Sequence, residues 1–270
     1  MSHPTGSAPG SAAHAEHELS PWPPLIGLGL LVAYLGVVHG TIPLVIGIAI
    51  FFVAIGGWIR DDIRNWPTSP PDNVPGQKKA PEFMAMVLFL GTEVVVFGTL
   101  FAAWYNGEGR AIAQGLAWPP PGFHLDIPGT TINTVILLLS GLTCHISHLA
   151  IRRGNHKRFV QWMAATVVLG AIFLGLQVVE YQKLFAEGFG FTTNYYTTSF
   201  YMLTGTHGLH VAFGLLMLIL VLVRGLMGQF TAEKHLAVEA FALYWHFVDL
   251  VWIVLYFVVY DPIPYFLGGH

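Results

Sequence analysis

The chain has 270 residues, of which 54% are hydrophobic and only 10% charged, with a mean hydropathy of +0.60. That composition excludes a large soluble domain and places the chain among integral membrane proteins. A formal charge of −3 excludes a nucleic-acid-binding surface, and the single cysteine, Cys144, excludes an intrachain disulfide framework.

In chain order, residues 1–20 are rich in Ser, Ala, Gly and His and lack a basic n-region, so they read as a disordered tail and not a cleaved signal. His3, His14 and His17 lie in it. A span needs about 20 apolar residues. Seven stretches meet or approach that requirement: Trp22–Val38, Thr41–Ile59, Pro81–Tyr105, Thr130–Ile151, Phe159–Phe185, Tyr195–Val223 and Leu236–Tyr260. The first is the shortest, and His39-Gly40 closes it onto the second as a tight hairpin over residues 21–60. Residues 61–80, with Trp66-Pro67, Pro70-Pro71 and Pro75-Gly76, read as a linker to a five-helix bundle over residues 81–270. Within that bundle Asn106–Gly129 reads as a rigid loop around Trp118-Pro119-Pro120-Pro121-Gly122. The expected fold is thus all-α, with seven transmembrane helices.

Lys and Arg concentrate on the cytoplasmic side of short loops. Arg60, Arg64, Lys78, Lys79, Arg152, Arg153, Lys157, Arg158, Arg224 and Lys234 share one side, leaving Arg110 and Lys183 on the other. The N-terminus and the linker are therefore expected in the cytoplasm and the C-terminus in the periplasm or outside the cell. Trp22, Trp58, Trp104 and Tyr105 near span ends are expected at the membrane interface.

Ionisable groups inside spans are costly and are kept for a partner or a function. Glu93 sits in the middle of the third span. At 100° per residue His235, Glu239, His246 and Asp249 fall within an arc of roughly 80° on the last span. His207 and His210, His145 and His148, and Gln177 and Glu180 are pairs three apart on single helix faces. Such stripes must face protein, because lipid cannot satisfy them. They fit either an interhelical hydrogen-bond network or, through the paired histidines, a metal or haem site. A retinal protein is excluded, since Leu236–Tyr260 contains no lysine for a Schiff base. The chain shows no internal repeat, which weighs against a transporter built from duplicated halves.

Several motifs, in order along nearly the whole chain, resemble subunit III of the haem–copper cytochrome c oxidases. They are Ser20-Pro21-Trp22-Pro23, Trp58-Ile59-Arg60-Asp61-Asp62-Ile63-Arg64, Thr92-Glu93-Val94 with Phe97, and Trp118-Pro119-Pro120. Leu176-Gln177 with Glu180-Tyr181, Gly205-Thr206-His207-Gly208-Leu209-His210-Val211, Phe230-Thr231 with His235 and Glu239, and Tyr244–Trp252 complete the set. Val95 and Val96 depart from the bulkier residues often found after the glutamate.

The resemblance implies a two-helix hairpin and a five-helix bundle separated by a V-shaped lipid cleft, in a bacterial plasma membrane. It implies a non-redox subunit of an aa3-type, proton-pumping complex that reduces dioxygen to water. No metal or catalytic residue is then expected in this chain, since haem and copper belong to partner subunits I and II. Subunit I is the direct partner, cytochrome c is met through subunit II, and phospholipids are bound. Glu93, Arg60, Arg64, Arg224 and His235 are implied in lipid contact, oxygen access or proton uptake. His207, His210, Glu180, Glu239, His246 and Asp249 are expected to knit helices together. A quinol oxidase typically lacks the first hairpin, which Trp22–Ile59 supplies here. The reading from another class is a stand-alone membrane metalloenzyme using the histidine pairs.

Overall fold

The computed structural model describes residues 20–65 and 81–267. The tail with His3, His14 and His17, and most of the expected linker, lie outside the described residues. Among the described residues the regular elements are helices, with no strand: α1 Trp22–His39, α2 Thr41–Asn65, α3 Pro81–Ala113, α4 Ile127–Arg152, α5 His156–Ala186, α6 Tyr195–Leu226 and α7 Leu236–Leu255. A π-helical turn, Tyr256–Tyr260, continues α7, and a short α8, Pro262–Phe266, follows. Six of these helices, from Thr41–Asn65 to Leu236–Tyr260, are long and apolar enough to cross a membrane. The apolar part of the first, Trp22–Gly36, is shorter.

Helix ends differ from the apolar stretches in a systematic way. α2 continues through Arg60 and Arg64 to Asn65, so the linker expected from residue 61 begins as helix. α3 runs on to Ala113, which takes the first third of the expected loop at Asn106–Gly129. Hydropathy marks only the part of a helix that meets hydrocarbon; charged and small residues carry the same helix into the headgroup region. Starts are set by side-chain caps. Asp126 accepts from the Gly129 N–H at 2.9 Å, Asn155 from that of Arg158 at 3.1 Å, and Asn194 forms a reciprocal box with Thr197.

The described residues fall into two compact units, α1–α2 and α3–α8. In the first, Gly40 takes a positive φ of 124° and reverses the chain between two apolar helices. With no hydrophobic drive between helices in lipid, close backbone approach supplies the attraction. A Cβ on Gly47 would overlap the backbone of Ala33, and one on Gly36 would overlap that of Leu44. The Trp22 indole lies on Gly57 and donates to Asp61 Oδ2 at 2.7 Å, tying the start of α1 to the far end of α2.

In the second unit α4 pairs with α5 and α7, while α6 packs on α3, α5 and α7. Its centre is the Trp245 ring, fully buried between Gly170 of α5 and Gly214 of α6. Trp104, expected at an interface, is only 3% exposed and packs on Trp118 and Tyr196, whereas Trp58 and Tyr105 do stand exposed.

Glycine spacing gives a direct test. Gly47→Ala forces α1 and α2 apart and should lower stability by about 1–3 kcal/mol. Gly27→Ala, whose Cβ meets open space, should leave it unchanged or slightly raised. Thermal unfolding in one detergent, followed by fluorescence, compares the two.

Candidate functional site

Position decides what the buried polar groups can do. On α3 the residues turned toward the bundle repeat as Leu90, Glu93, Phe97 and Trp104, with Leu90, Phe97 and Trp104 buried. Glu93 therefore shares the packed stripe, while Leu88, Phe89, Val94, Val95 and Val96 around it are exposed. Its Oε2 lies 3.0 Å from His210 Nε2 of α6. The side chains of Glu93 and His210 keep 14% and 19% of their surface, so the pair is shielded but not sealed. Phe97 closes one side, 5.0 Å from the His210 ring.

Both ring nitrogens of His210 are engaged. His210 Nδ1 is 2.8 Å from the Thr206 carbonyl oxygen, which can only accept, so Nδ1 donates. The Nε2–Oε2 contact is a hydrogen bond whose proton sits on either atom, as neutral acid and imidazole or as an ion pair. Either form makes the hydrogen bond, and passing between them alters no net charge. The His210 backbone is itself held, its carbonyl accepting from Tyr244 OH at 3.1 Å.

A second cluster centres on Glu180 of α5. Gln177 Nε2 donates to its Oε2 at 3.1 Å, Tyr260 OH donates at 3.3 Å, and Thr130 Oγ1 of α4 donates to Oε1 at 3.4 Å. Three donors from α4, α5 and the π turn converge on one carboxyl group, which ties the ends of those segments together.

Between α4 and α7 the polar contacts come from residues that look apolar in sequence. Trp245, Asp249, Trp252 and Tyr256 follow a four-three-four spacing that keeps them on one face. Trp245 Nε1 donates to Ser140 Oγ at 3.1 Å and Trp252 Nε1 to Thr134 Oγ1 at 2.9 Å, while Tyr256 OH and Thr131 Oγ1 lie 2.6 Å apart. The signal available in the sequence was that spacing, matched by Thr131, Thr134 and Ser140 on α4. Asp249 sits in the same row over Gly141, where a Cβ would overlap its carboxylate. His246 Nδ1, on the same helix, lies 3.8 Å from Asp249 Oδ2, too far for a hydrogen bond.

His235 is the N-cap residue of α7, with φ −148° and ψ 21°, and His246 and Asp249 follow within the helix. His235 is buried, its Nδ1 is 3.2 Å from the Thr231 carbonyl oxygen, and its ring lies 6.1 Å from His148 of α4. His145 and His246 face each other at the same 6.1 Å. Glu239 is half-buried in the first turn of α7. The histidines thus meet in twos, and among the described residues no group of three or more His, Cys, Asp or Glu side chains is placed to hold a metal ion.

His207, expected among the hydrogen-bonded residues, is fully buried with neither ring nitrogen bonded, in a pocket of Phe97, Phe173 and Trp252 rings. Arg224, expected toward lipid headgroups, is buried at the end of α6: its Nε donates to Gln229 Oε1 at 3.0 Å and its guanidinium lies 5.2 Å from the Phe230 ring. It locks the α6–α7 connection. Arg60 and Arg64 are exposed on the last turns of α2.

These contacts make two predictions. A double-mutant cycle of Trp252→Phe with Thr134→Val should give a coupling of about 0.6 kcal/mol and not above about 1.7, read from unfolding in mixed micelles. Glu93→Gln keeps a donor for His210 Nε2, whereas Glu93→Leu removes it and should cost about 1–3 kcal/mol. The difference in melting temperature between those two variants measures the pair.

The family model for cytochrome c oxidase subunit III matches residues 14–262. The cytochrome c oxidase subunit 3 of Dugong dugon is 35% identical over 92% of this chain and 97% of its own length. That of Cyprinus carpio is 34% identical, over 92% and 97%. A probable cytochrome c oxidase subunit 3 of Rickettsia conorii is 36% identical over 89% of this chain and 90% of its own length. With six helices long and apolar enough to span a bilayer and matches along nearly its whole length, this multi-pass membrane chain belongs to the cytochrome c oxidase subunit III family.

Proposed function

We propose that the chain is the non-redox core subunit of a proton-pumping, aa3-type cytochrome c oxidase, the complex that reduces dioxygen to water. In this reading haem and copper reside in subunits I and II, subunit I is the direct partner, and cytochrome c is met through subunit II. The observation that carries it is the family match over residues 14–262, joined to relatives named as subunits of that oxidase. α1 is taken to cross the bilayer as a seventh span, with the N-terminus in the cytoplasm of a bacterial cell, supported by the one-sided distribution of Lys and Arg.

What the chain contributes is physical. Dioxygen partitions into hydrocarbon, so phospholipid retained against the apolar surface around Glu93 gives it a route toward the partner's active site. The Glu93–His210 pair fits a proton-handling role beside that lipid, because it joins two titratable side chains by a hydrogen bond and remains partly accessible. Arg60 and Arg64, exposed where α2 ends, suit phosphate headgroups. Arg224 and His235 support this end through the α6–α7 connection, by the contacts they make within it.

Affinity purification of the chain in mild detergent should return a haem-containing subunit and a dinuclear-copper subunit in equal amounts. A complex stripped of this chain should still consume dioxygen at first and lose activity faster over successive turnovers. Stoichiometric iron or copper remaining on the chain after separation from its partners would overturn the assignment in favour of a metalloenzyme.

A further inference from the structure

The outer surface of the α4–α5 pair carries a groove that the Glu93 region does not include. It has a volume of about 600 Å³ and is lined by Ile146 of α4 and by Arg158, Gln161, Trp162 and Ala165 of α5. The four α5 residues follow a three-one-three spacing, which keeps them on one helix face. Arg158 lies within the first turn of α5, and Ala165 is roughly 10 Å deeper along the axis at 1.5 Å per residue. The groove thus begins at a charged helix end and runs into the apolar zone, where Val168 and Ile172 continue the exposed stripe.

Charge at the mouth is one-sided. Arg152, Arg153, Lys157 and Arg158 all stand exposed around the α4–α5 turn. No Asp or Glu occurs between Asp126 and Glu180, and the Arg158 side chain has no ion pair among the described residues. Trp162, 38% exposed, lies one turn below Arg158, at the depth where an indole meets glycerol and ester groups. An uncompensated guanidinium above an apolar slot with a polar amide and an indole at its rim has the order of groups found along a lipid: phosphate, glycerol, acyl chain.

We infer that this groove is a binding site for one anionic phospholipid, its phosphate on Arg158 and Gln161 and an acyl chain along Ile146, Trp162 and Ala165. The occupant is a lipid and not a partner helix because the rim carries cations without acids, which selects phosphate, whereas a helix gains nothing from an unpaired arginine at its edge. The inference stands on the α4–α5 surface alone and does not depend on the oxidase assignment.

The test uses the native complex that contains this chain, reconstituted in nanodiscs with a trace of photoactivatable phosphatidylglycerol or photoactivatable phosphatidylcholine. After irradiation, adducts on the segment from Ile146 to Ala165 are quantified by mass spectrometry. The phosphatidylglycerol probe should label this segment about fivefold more than the zwitterionic one, as expected where a net negative headgroup gains about 1 kcal/mol beside a cation. Arg158→Gln should reduce that preference while dioxygen consumption is unchanged, and excess inorganic phosphate should not displace the label. Equal labelling by the two probes in the unaltered chain overturns the proposal without recourse to a variant. So does a preference undiminished by Arg158→Gln, labelling lost to inorganic phosphate, or an unlabelled segment on a chain whose other helices are labelled, which would mean that a protein partner covers it.

Discussion

Hydrocarbon offers no hydrogen-bond partner, and the second unit is arranged around that restriction. The indole N–H groups of Trp245 and Trp252 cannot be left bare in the interior, yet their rings supply the largest packing surfaces of α7. Hydroxyl groups on α4 answer both: Ser140 and Thr134 accept the two N–H groups while being small enough to let the rings lie flat between helices. Gly170 and Gly214 supply the room for Trp245 on α5 and α6. Moving α7 by one residue would take both donors away from Ser140 and Thr134, so the polar contacts favour one register where apolar packing alone is less selective.

The same restriction sorts the ionisable residues by what they meet. Glu180 is met by three donors from three segments and serves as a tie. Glu93 is met by one imidazole whose other nitrogen is already committed, so the two titratable groups answer mainly to each other. Arg224 spends its charge on Gln229 and the face of Phe230 at a turn. Three residues of similar cost in a membrane thereby acquire three different roles, Arg224 through near neighbours in the chain and Glu93 through one more than a hundred residues away.

That is also why the sequence reveals the architecture better than the site. The apolar stretches and their order are readable because hydropathy is a local property, and the family motifs at Glu93, His207–His210 and Tyr244–Trp252 are local too. Helix ends at Asn65 and Ala113 were harder, since polar residues in the headgroup layer hide a helix that continues. Residue partners were hardest. A helical wheel groups His235 with Asp249 but does not show that His235 meets His148 of α4. It also treats Trp252 and Tyr256 as apolar, although each makes a polar contact to a hydroxyl more than a hundred residues earlier. His207 reads as polar glue but ends among rings.

The geometry of the Glu93–His210 pair also fixes its response to an electric field. A proton passing between atoms 3.0 Å apart covers at most about a tenth of a bilayer core some 30 Å thick. A full elementary charge crossing the membrane changes energy by about 2.3 kcal/mol per 100 mV, so this transfer couples by less than about 0.2 kcal/mol per 100 mV. The voltage that respiration builds across the bilayer is therefore nearly invisible to the pair, and its state follows what touches Glu93 and His210 locally.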